Sequence, residues 1–143
     1  MANQAPDLPD LIDGLFQLSF LLQACLARIA AEHDLSLVQV RLLGILRDRE
    51  PGMLELARYL ELEKSSLSGL VDRAENRGLV ERIQSPSDRR ATTIRVTARG
   101  RKLSRVIADA VRVEVDALVQ PLPKADQDRL AALVRHVLPA GPA

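Results

Sequence analysis

The sequence predicts a mainly α-helical chain with a single small β-hairpin. Apolar residues recur with a helical period in long stretches at both ends of the chain. A shorter helical stretch with a polar face lies between them and runs directly into two alternating, β-branched segments joined by turn residues. A length of 143 residues corresponds to one domain that can bury a full core.

The first predicted helix begins near Pro9 and continues to about His33, so it is about 37 Å long at 1.5 Å per residue. Its apolar stripe is wider than one helix face. It comprises Leu11, Ile12, Leu15, Phe16, Leu18, Phe20, Leu21, Leu22, Cys25, Leu26 and Ile29. A helix with more apolar surface than one neighbour can cover indicates a subunit interface.

Two shorter helices are predicted next. Ser36 and Gln39 have the spacing of a capping box, which predicts the start of the second helix. The Glu50-Pro51-Gly52 sequence predicts its end, and the third helix is expected from about Leu54 to Leu60.

The stretch from Lys64 to Arg77 predicts a fourth helix with two unlike faces. One face is apolar, and the other carries only small, polar or charged residues. These are Ser65, Ser66, Ser68, Gly69, Asp72, Arg73 and Arg77. Gly78 stands where a left-handed residue would end the helix.

A hairpin is predicted directly after Gly78. Residues 79–84 and 93–97 alternate in the manner of strands, and Ser85-Pro86-Ser87-Asp88 is a turn sequence. Arg89 and Arg90 then lie at the tip. A helix with a small polar face fits a major groove about 12 Å wide, and the basic tip can reach phosphates or the next minor groove.

These patterns give two sets of candidate DNA-binding residues. Those of the helix are Ser65, Ser66, Ser68, Gly69, Arg73 and Arg77, and those of the hairpin are Arg89 and Arg90, which follow the turn residue Asp88. Serine hydroxyls and arginine guanidinium groups can bind base edges or phosphates.

The charge distribution supports a polyanionic partner. The whole chain carries a net charge of +1, but residues 81–105 carry +6 and the remainder −5. Phe16, Phe20 and Tyr59 are the three aromatic residues, which argues against a surface that stacks single-stranded bases.

Several classes of protein are disfavoured. A single cysteine, Cys25, excludes an internal disulfide, and two separated histidines predict no metal site and no cofactor. The sequence shows no nucleophile triad, phosphate loop or paired-carboxylate motif, so an enzyme is not expected. The longest charge-free run near the N-terminus, Gly14 to Ala27, is short and polar for a membrane span, so a cytoplasmic protein without membrane contact is expected.

Two helices are predicted after the hairpin. Thr97 caps the fifth, which extends to about Gln120, and Pro121-Leu122-Pro123 separates it from the sixth. Both are rich in apolar residues, like the first helix. The ends of the chain therefore suggest an intertwined dimer around a central module.

The run LVERIQSPSDRRATTIRVTARG, Leu79 to Gly100, resembles the wing of the MarR-type (multiple antibiotic resistance regulator) winged helix-turn-helix transcription factors. ELARYL (Glu55 to Leu60) and LVDRAENRGLVER (Leu70 to Arg82) resemble the same family's helix-turn-helix. The resemblance extends over nearly the whole chain. It implies a single domain over 1–143, a winged helix-turn-helix core over 36–100, and dimerisation helices over 8–33 and 101–138.

The resemblance also implies a function. A homodimer would bind double-stranded DNA at a pseudo-palindromic site, and a small aromatic or anionic effector would release it, as in a ligand-responsive repressor. One wing arginine, Arg89 or Arg90, would enter the minor groove while Asp88 orders the tip. Asp72 is interpreted as the partner of an arginine. Glu63 departs from the Ser or Thr that usually caps the recognition helix.

Two alternatives remain open at this point. A winged helix can bind other proteins rather than DNA, although such a surface needs no arginine pair at its tip. Cys25 could serve a redox-sensing regulator, but it is in phase with the apolar stripe of the first helix, which predicts a small buried residue.

Overall fold

The structure is a computed structural model and describes residues 8–88 and 90–139. These residues form α1 (Leu8–Glu32), α2 (Leu37–Leu46), α3 (Met53–Leu60), α4 (Lys64–Asn76), β1 (Val80–Gln84), β2 (Thr92–Val96), α5 (Ala98–Val119) and α6 (Lys124–Val137). The order and type of the elements confirm the predicted helical chain with one hairpin.

Local signals in the sequence set the element boundaries. Ser36 Oγ accepts a hydrogen bond from the Gln39 backbone at 3.3 Å, and Gln39 Oε1 accepts one from the Ser36 backbone at 2.8 Å, which completes the predicted capping box. Gly78 has φ +71° and so occupies the left-handed region expected after α4. Glu63 stands at the N-cap of α4 without a side-chain hydrogen bond, as its departure from Ser or Thr suggested.

The strands form an antiparallel hairpin in which Val80 lies opposite Val96. The connection between α2 and α3 extends this sheet, because the Ile94 amide donates to the Pro51 carbonyl at 2.9 Å and Gly52 bridges to Thr93. The sequence predicted only a helix break there. The added edge fixes the hairpin to the helical core.

The core lies where the central helices meet the hairpin. Its fully buried large side chains are Ile29, Leu42, Leu46, Leu56, Leu67, Leu70, Val71, Val80 and Ile94. α1 and α5 each contribute one part of their length to this core, through Ile29 and Ile107. Neighbouring residues, such as Cys25 and Val111, pack against this core, and the N-terminal half of α1 and the C-terminal end of α5 extend away from it.

Much of the apolar surface of the terminal helices is exposed. On α1, Phe16 is 60% exposed and Phe20 66%, and the two rings lie 6.3 Å apart. α6 has no buried residue, and its Val137 is 80% exposed. A contiguous apolar surface of this kind marks a site that another molecule covers.

By length and composition alone, Pro9–Glu32 would suffice to span a bilayer, with a mean hydropathy of 1.4 in its most apolar window. The sequence had argued against a membrane span, because the charge-free run ends at Ala27. The helix itself continues past Arg28 to Glu32 and is therefore longer than that run. Only 11% of that window is buried. Its apolar residues are therefore available for an intermolecular contact.

Candidate DNA-binding surface

Helix α4 packs one face into the core and exposes the other. Its buried residues are Leu67, Leu70, Val71 and Ala74. Around the opposite side, Ser65, Ser66 and Arg73 are exposed, and Ser68 and Gly69 are half-buried. The structure therefore brings five of the six residues predicted on this helix to one polar surface.

Asn76 shares this exposed side and was missed from the sequence. Asn76 follows Ser65 at a spacing of eleven residues, or three helical turns, so the periodicity that selected Ser65 and Gly69 also contained it. Lys64 is the first residue of α4 and places a cation at the N-terminal end of the helix.

Arg77 does not belong to this surface, which corrects the sequence-based prediction. Its guanidinium donates to the backbone carbonyls of Asp34, at 2.6 Å, and His33, at 3.0 Å, just after the end of α1. A cation next to the C-terminal end of a helix is also favoured by the helix dipole. Arg77 thus joins α4 to α1.

Arg73 lies back along α4, over Gly69. A Cβ atom built on Gly69 would lie 3.1 Å from Nη1 of Arg73 and 4.0 Å from its Cζ. Long helical side chains point towards the N-terminus of their helix, and here the missing side chain of Gly69 gives the guanidinium its space.

Arg82 of β1 connects the hairpin to α4. Its Nη2 donates to Oδ1 of Asp72 at 2.6 Å, its Nη1 donates to Oε1 of Glu75 at 2.8 Å, and its backbone amide donates to Oε2 of Glu75 at 3.1 Å. The hydrogen bond to Asp72, with further contributions from Glu75, raises the pKa of Arg82 above its usual value. Asp72 is therefore the partner of an arginine, as interpreted, although that arginine lies on the strand.

Ion pairs compensate part of the positive charge of residues 81–105. Arg82 is held by α4, and Arg95 Nη2 lies 2.8 Å from Oε1 of Glu81 across the hairpin. The charges that remain on the described part of this cluster are on Arg90 and on the first turns of α5, at Arg99, Arg101, Lys102 and Arg105.

The hairpin tip is ordered by Asp88. Its Oδ1 accepts a hydrogen bond from the Arg90 amide at 2.9 Å, and its carbonyl accepts one from the Ala91 amide at 3.1 Å. The side chain of Arg90 is exposed. Arg89, the other predicted wing residue, lies outside the described residues.

The start of α5 is fixed to the junction between α4 and β1 by four residues, which we call the α5 joint: Gly78, Leu79, Thr97 and Gly100. Thr97 Oγ1 donates to the Gly78 carbonyl at 2.6 Å and accepts from the Gly100 amide at 3.0 Å, and the Thr97 amide donates to the Leu79 carbonyl at 3.0 Å. A Cβ on Gly100 would lie 2.0 Å from the Leu79 carbonyl oxygen, so glycine is required there.

A cavity of about 470 Å³ lies between α2 and α5, and we call it the α2–α5 cavity. Its apolar lining comprises Leu26, Val40, Leu43, Val96, Ile107 and Val111. Charged residues around it are Arg47, Arg101, Arg105, Asp109 and Arg112. Arg47 is paired with Asp48 at 3.0 Å and Arg112 with Asp109 at 3.8 Å, so within the described part of the chain Arg101 and Arg105 are the arginines without such a pair. Ser104 also lines it, with a buried Oγ that has no hydrogen-bond partner among the described residues.

Cys25 packs against the core but is only half-buried, so it is less covered than its place in the apolar stripe predicted. The nearest cation in sequence, Arg28, is already engaged, since its Nη2 lies 2.7 Å from Oε1 of Glu114. That hydrogen bond raises the pKa of Arg28. The charge of Arg28 is therefore shared with Glu114 and is not reserved for stabilising a thiolate at Cys25.

The comparisons with known proteins agree with this geometry. The sequence profile of the MarR family matches residues 33–91. The HTH-type transcriptional regulator PecS of Dickeya dadantii (strain 3937) is 31% identical over 146 residues, which cover 94% of this chain and 86% of PecS.

Solved structures match the whole fold. RV1404 from Mycobacterium tuberculosis superposes with a TM-score of 0.82 at 26% identity, over 100% of both chains. NadR in complex with 4-hydroxyphenylacetate superposes with a TM-score of 0.72 at 25% identity, over 96% of this chain and 97% of NadR. The chain belongs to the MarR family and is a DNA-binding transcriptional regulator with a winged helix-turn-helix fold.

Proposed function

We propose that the chain binds a pseudo-palindromic operator as a homodimer in the cytoplasm and acts as a repressor. α4 would enter the major groove with Ser65, Ser66, Ser68, Gly69 and Arg73. The observation that carries this assignment is the polar, exposed side of α4, which is backed by a fully buried opposite face. A helix held this rigidly can present its side chains to base edges.

The wing is proposed to contact the DNA backbone or the adjacent minor groove. Arg90 is exposed next to the Asp88 turn, and Arg89 is its neighbour in the sequence. Arginine in a narrow minor groove responds to groove shape more than to base identity. Asp88 would act by ordering the tip, and Arg77 has no part in this contact.

The dimer is proposed to form through residues 8–33 and 101–138, leaving 36–100 as the DNA-binding core. The exposed apolar residues of α1 and α6 support this division, because the described part of the chain leaves much of their surface uncovered. A twofold dimer places two recognition helices about 34–36 Å apart, one turn of DNA.

Selection of bound sites from random duplexes tests the proposal most directly. We expect an inverted repeat whose half-sites are centred about 10 base pairs apart. A selection that enriches no sequence, with binding that does not change with salt, would instead favour the protein-docking alternative.

The effector is proposed to be a small aromatic anion in the α2–α5 cavity. The apolar lining fits an aromatic ring, while the surrounding arginines and the unpartnered Ser104 hydroxyl fit a carboxylate or phenol. NadR, which was determined with 4-hydroxyphenylacetate, supports this class of ligand. The ligand needs only to prefer one arrangement of the two α4 helices to shift the population.

Release of the selected operator by 4-hydroxyphenylacetate, compared with the uncharged 2-(4-hydroxyphenyl)ethanol, tests this assignment. We expect the anion alone to release DNA, and Arg105→Met to weaken that response. Arg129→Met removes an exposed arginine of α6 outside the cavity and is the matched control. Equal responses of both variants would place the effector elsewhere.

A further inference from the structure

The position of Arg73 relative to Gly69 bears on which base the protein reads. The guanidinium reaches back along α4 by one turn, to within 3.1 Å of the point where a Cβ of Gly69 would lie. It therefore lies beside Gly69 on the exposed side of the helix, towards Ser65 and the N-terminal end. In helix-turn-helix proteins, the N-terminal residues of the recognition helix are the ones that meet base edges.

The charge of Arg73 is not compensated by its acidic neighbours. Asp72 and Glu75, the carboxylates nearest to it along α4, are both bonded to Arg82, at 2.6 Å and 2.8 Å. Arg77, the other arginine near this helix, donates to the carbonyls that follow α1. Among the described residues of this segment, Arg73 is thus the exposed arginine that makes no side-chain hydrogen bond or ion pair.

We infer that Arg73 reads a guanine in each half-site and that Gly69 is the residue that positions it. This inference rests on the proposed placement of α4 in the major groove. A guanidinium offers parallel donors that match O6 and N7 of guanine, which is the commonest specific contact between protein and DNA. Ser65 and Ser66 have short hydroxyl side chains that can bind any base, so they discriminate less.

Gly69 permits this arrangement by having no side chain. A methyl group at this position would press on the end of Arg73, and a longer side chain would occupy the space of the guanidinium. Gly69→Leu therefore displaces Arg73 without adding a group that hydrogen-bonds to bases. Leucine favours helix more than glycine does, so the change does not weaken α4 itself.

The test compares the parent with Arg73→Lys, Arg73→Ala and Gly69→Leu on the selected operator. A second duplex carries the guanine changed to adenine in both half-sites. We expect the parent to prefer guanine by about 5- to 150-fold for each half-site. Arg73→Lys keeps the charge but loses the fixed pair of parallel donors, so it should lower this preference while the slope of log affinity against log salt stays unchanged.

Gly69→Leu should lose the preference as well, although Arg73 is still present. A merely structural role of Gly69 would lower affinity for both duplexes equally. If Arg73→Lys keeps the preference for guanine, and Arg73→Ala lowers only the salt slope, then Arg73 binds phosphate and the inference is wrong. A parent protein that selects no duplex would overturn the proposed function together with the inference.

Discussion

Arg82 on the first strand of the hairpin and Asp72 on the recognition helix are joined by a hydrogen bond of 2.6 Å between Nη2 and Oδ1. Their side chains are 29% and 57% exposed, so the pair lies at the edge of the proposed DNA surface. The contact holds the hairpin against α4 and at the same time neutralises a carboxylate near the expected phosphates.

Replacing Arg82 with Met should therefore weaken DNA binding, although Arg82 need not touch DNA. The loss leaves Asp72 and Glu75 unpaired, and both then repel phosphates. The cost in folding stability should be about 1 kcal/mol, because these side chains are partly exposed. Affinity and urea unfolding measure the two effects separately.

The control for that prediction is the pair of variants Asp72→Asn and Arg82→Met/Asp72→Asn. If the carboxylate causes the repulsion, the second substitution should recover part of the affinity lost by Arg82→Met. An affinity that falls additively in the double variant would contradict this explanation.

Arg90→Ala should change the salt dependence of DNA binding without affecting folding. The side chain is exposed at the hairpin tip. Each phosphate-neutralising arginine contributes nearly one unit to the slope of log affinity against log salt, so a dimer should lose up to about two units. Ser66→Ala removes no charge and is the control with an unchanged slope. Equal slopes for Arg90→Ala and the parent would remove Arg90 from the interface.

Gly100→Ala should destabilise the fold severely. The added methyl group would meet the Leu79 carbonyl oxygen at 2.0 Å and Val96 Cγ2 at 2.8 Å, and the backbone there cannot give way easily. Overpacking of this kind costs about 1–3 kcal/mol or more. Urea unfolding of the parent and the variant measures the loss in the free energy of unfolding. Gly44→Ala is the matched control, since nothing lies within 4 Å of its Cβ and alanine favours helix.

Phe20→Glu should dissociate the proposed dimer. Phe20 is 66% exposed on α1 and adjoins Phe16, so a carboxylate there would be buried without a partner if this surface forms the interface. Leu54→Glu alters a residue that is 70% exposed on α3, outside the terminal helices, and should leave the dimer intact. Sedimentation at low micromolar concentration checks both; a parent that sediments as a monomer would exclude the dimer.

Sequence reasoning predicted the fold well because its signals are local. The Ser36–Gln39 capping box, the left-handed Gly78 and the Thr97 cap are each decided within a few residues, and the structure confirms all three. The two faces of α4 follow from a period of 3.6 residues. Such features do not depend on distant parts of the chain.

The role of single arginines could not be predicted in this way. Arg77 lies near the polar face in a helical projection, yet its long side chain reaches carbonyls more than forty residues away in sequence. Arg82 was counted with the basic cluster, but its partners Asp72 and Glu75 approach it only after the chain turns at Gly78. Long flexible side chains find their partners through tertiary contacts, which periodicity does not encode.

The α5 joint has a mechanical consequence. α5 contains 22 residues, which is about 33 Å at 1.5 Å per residue. Its first turn is clamped to the end of the recognition helix by Thr97 and Gly100, whereas its far end leaves the core. If α5 tilts by about 5° about its clamped end, its opposite end moves by roughly 3 Å over that length. A ligand bound between α2 and α5 would need to tilt α5 only slightly to change the distance between the two recognition helices. That distance would then no longer match the groove spacing of DNA.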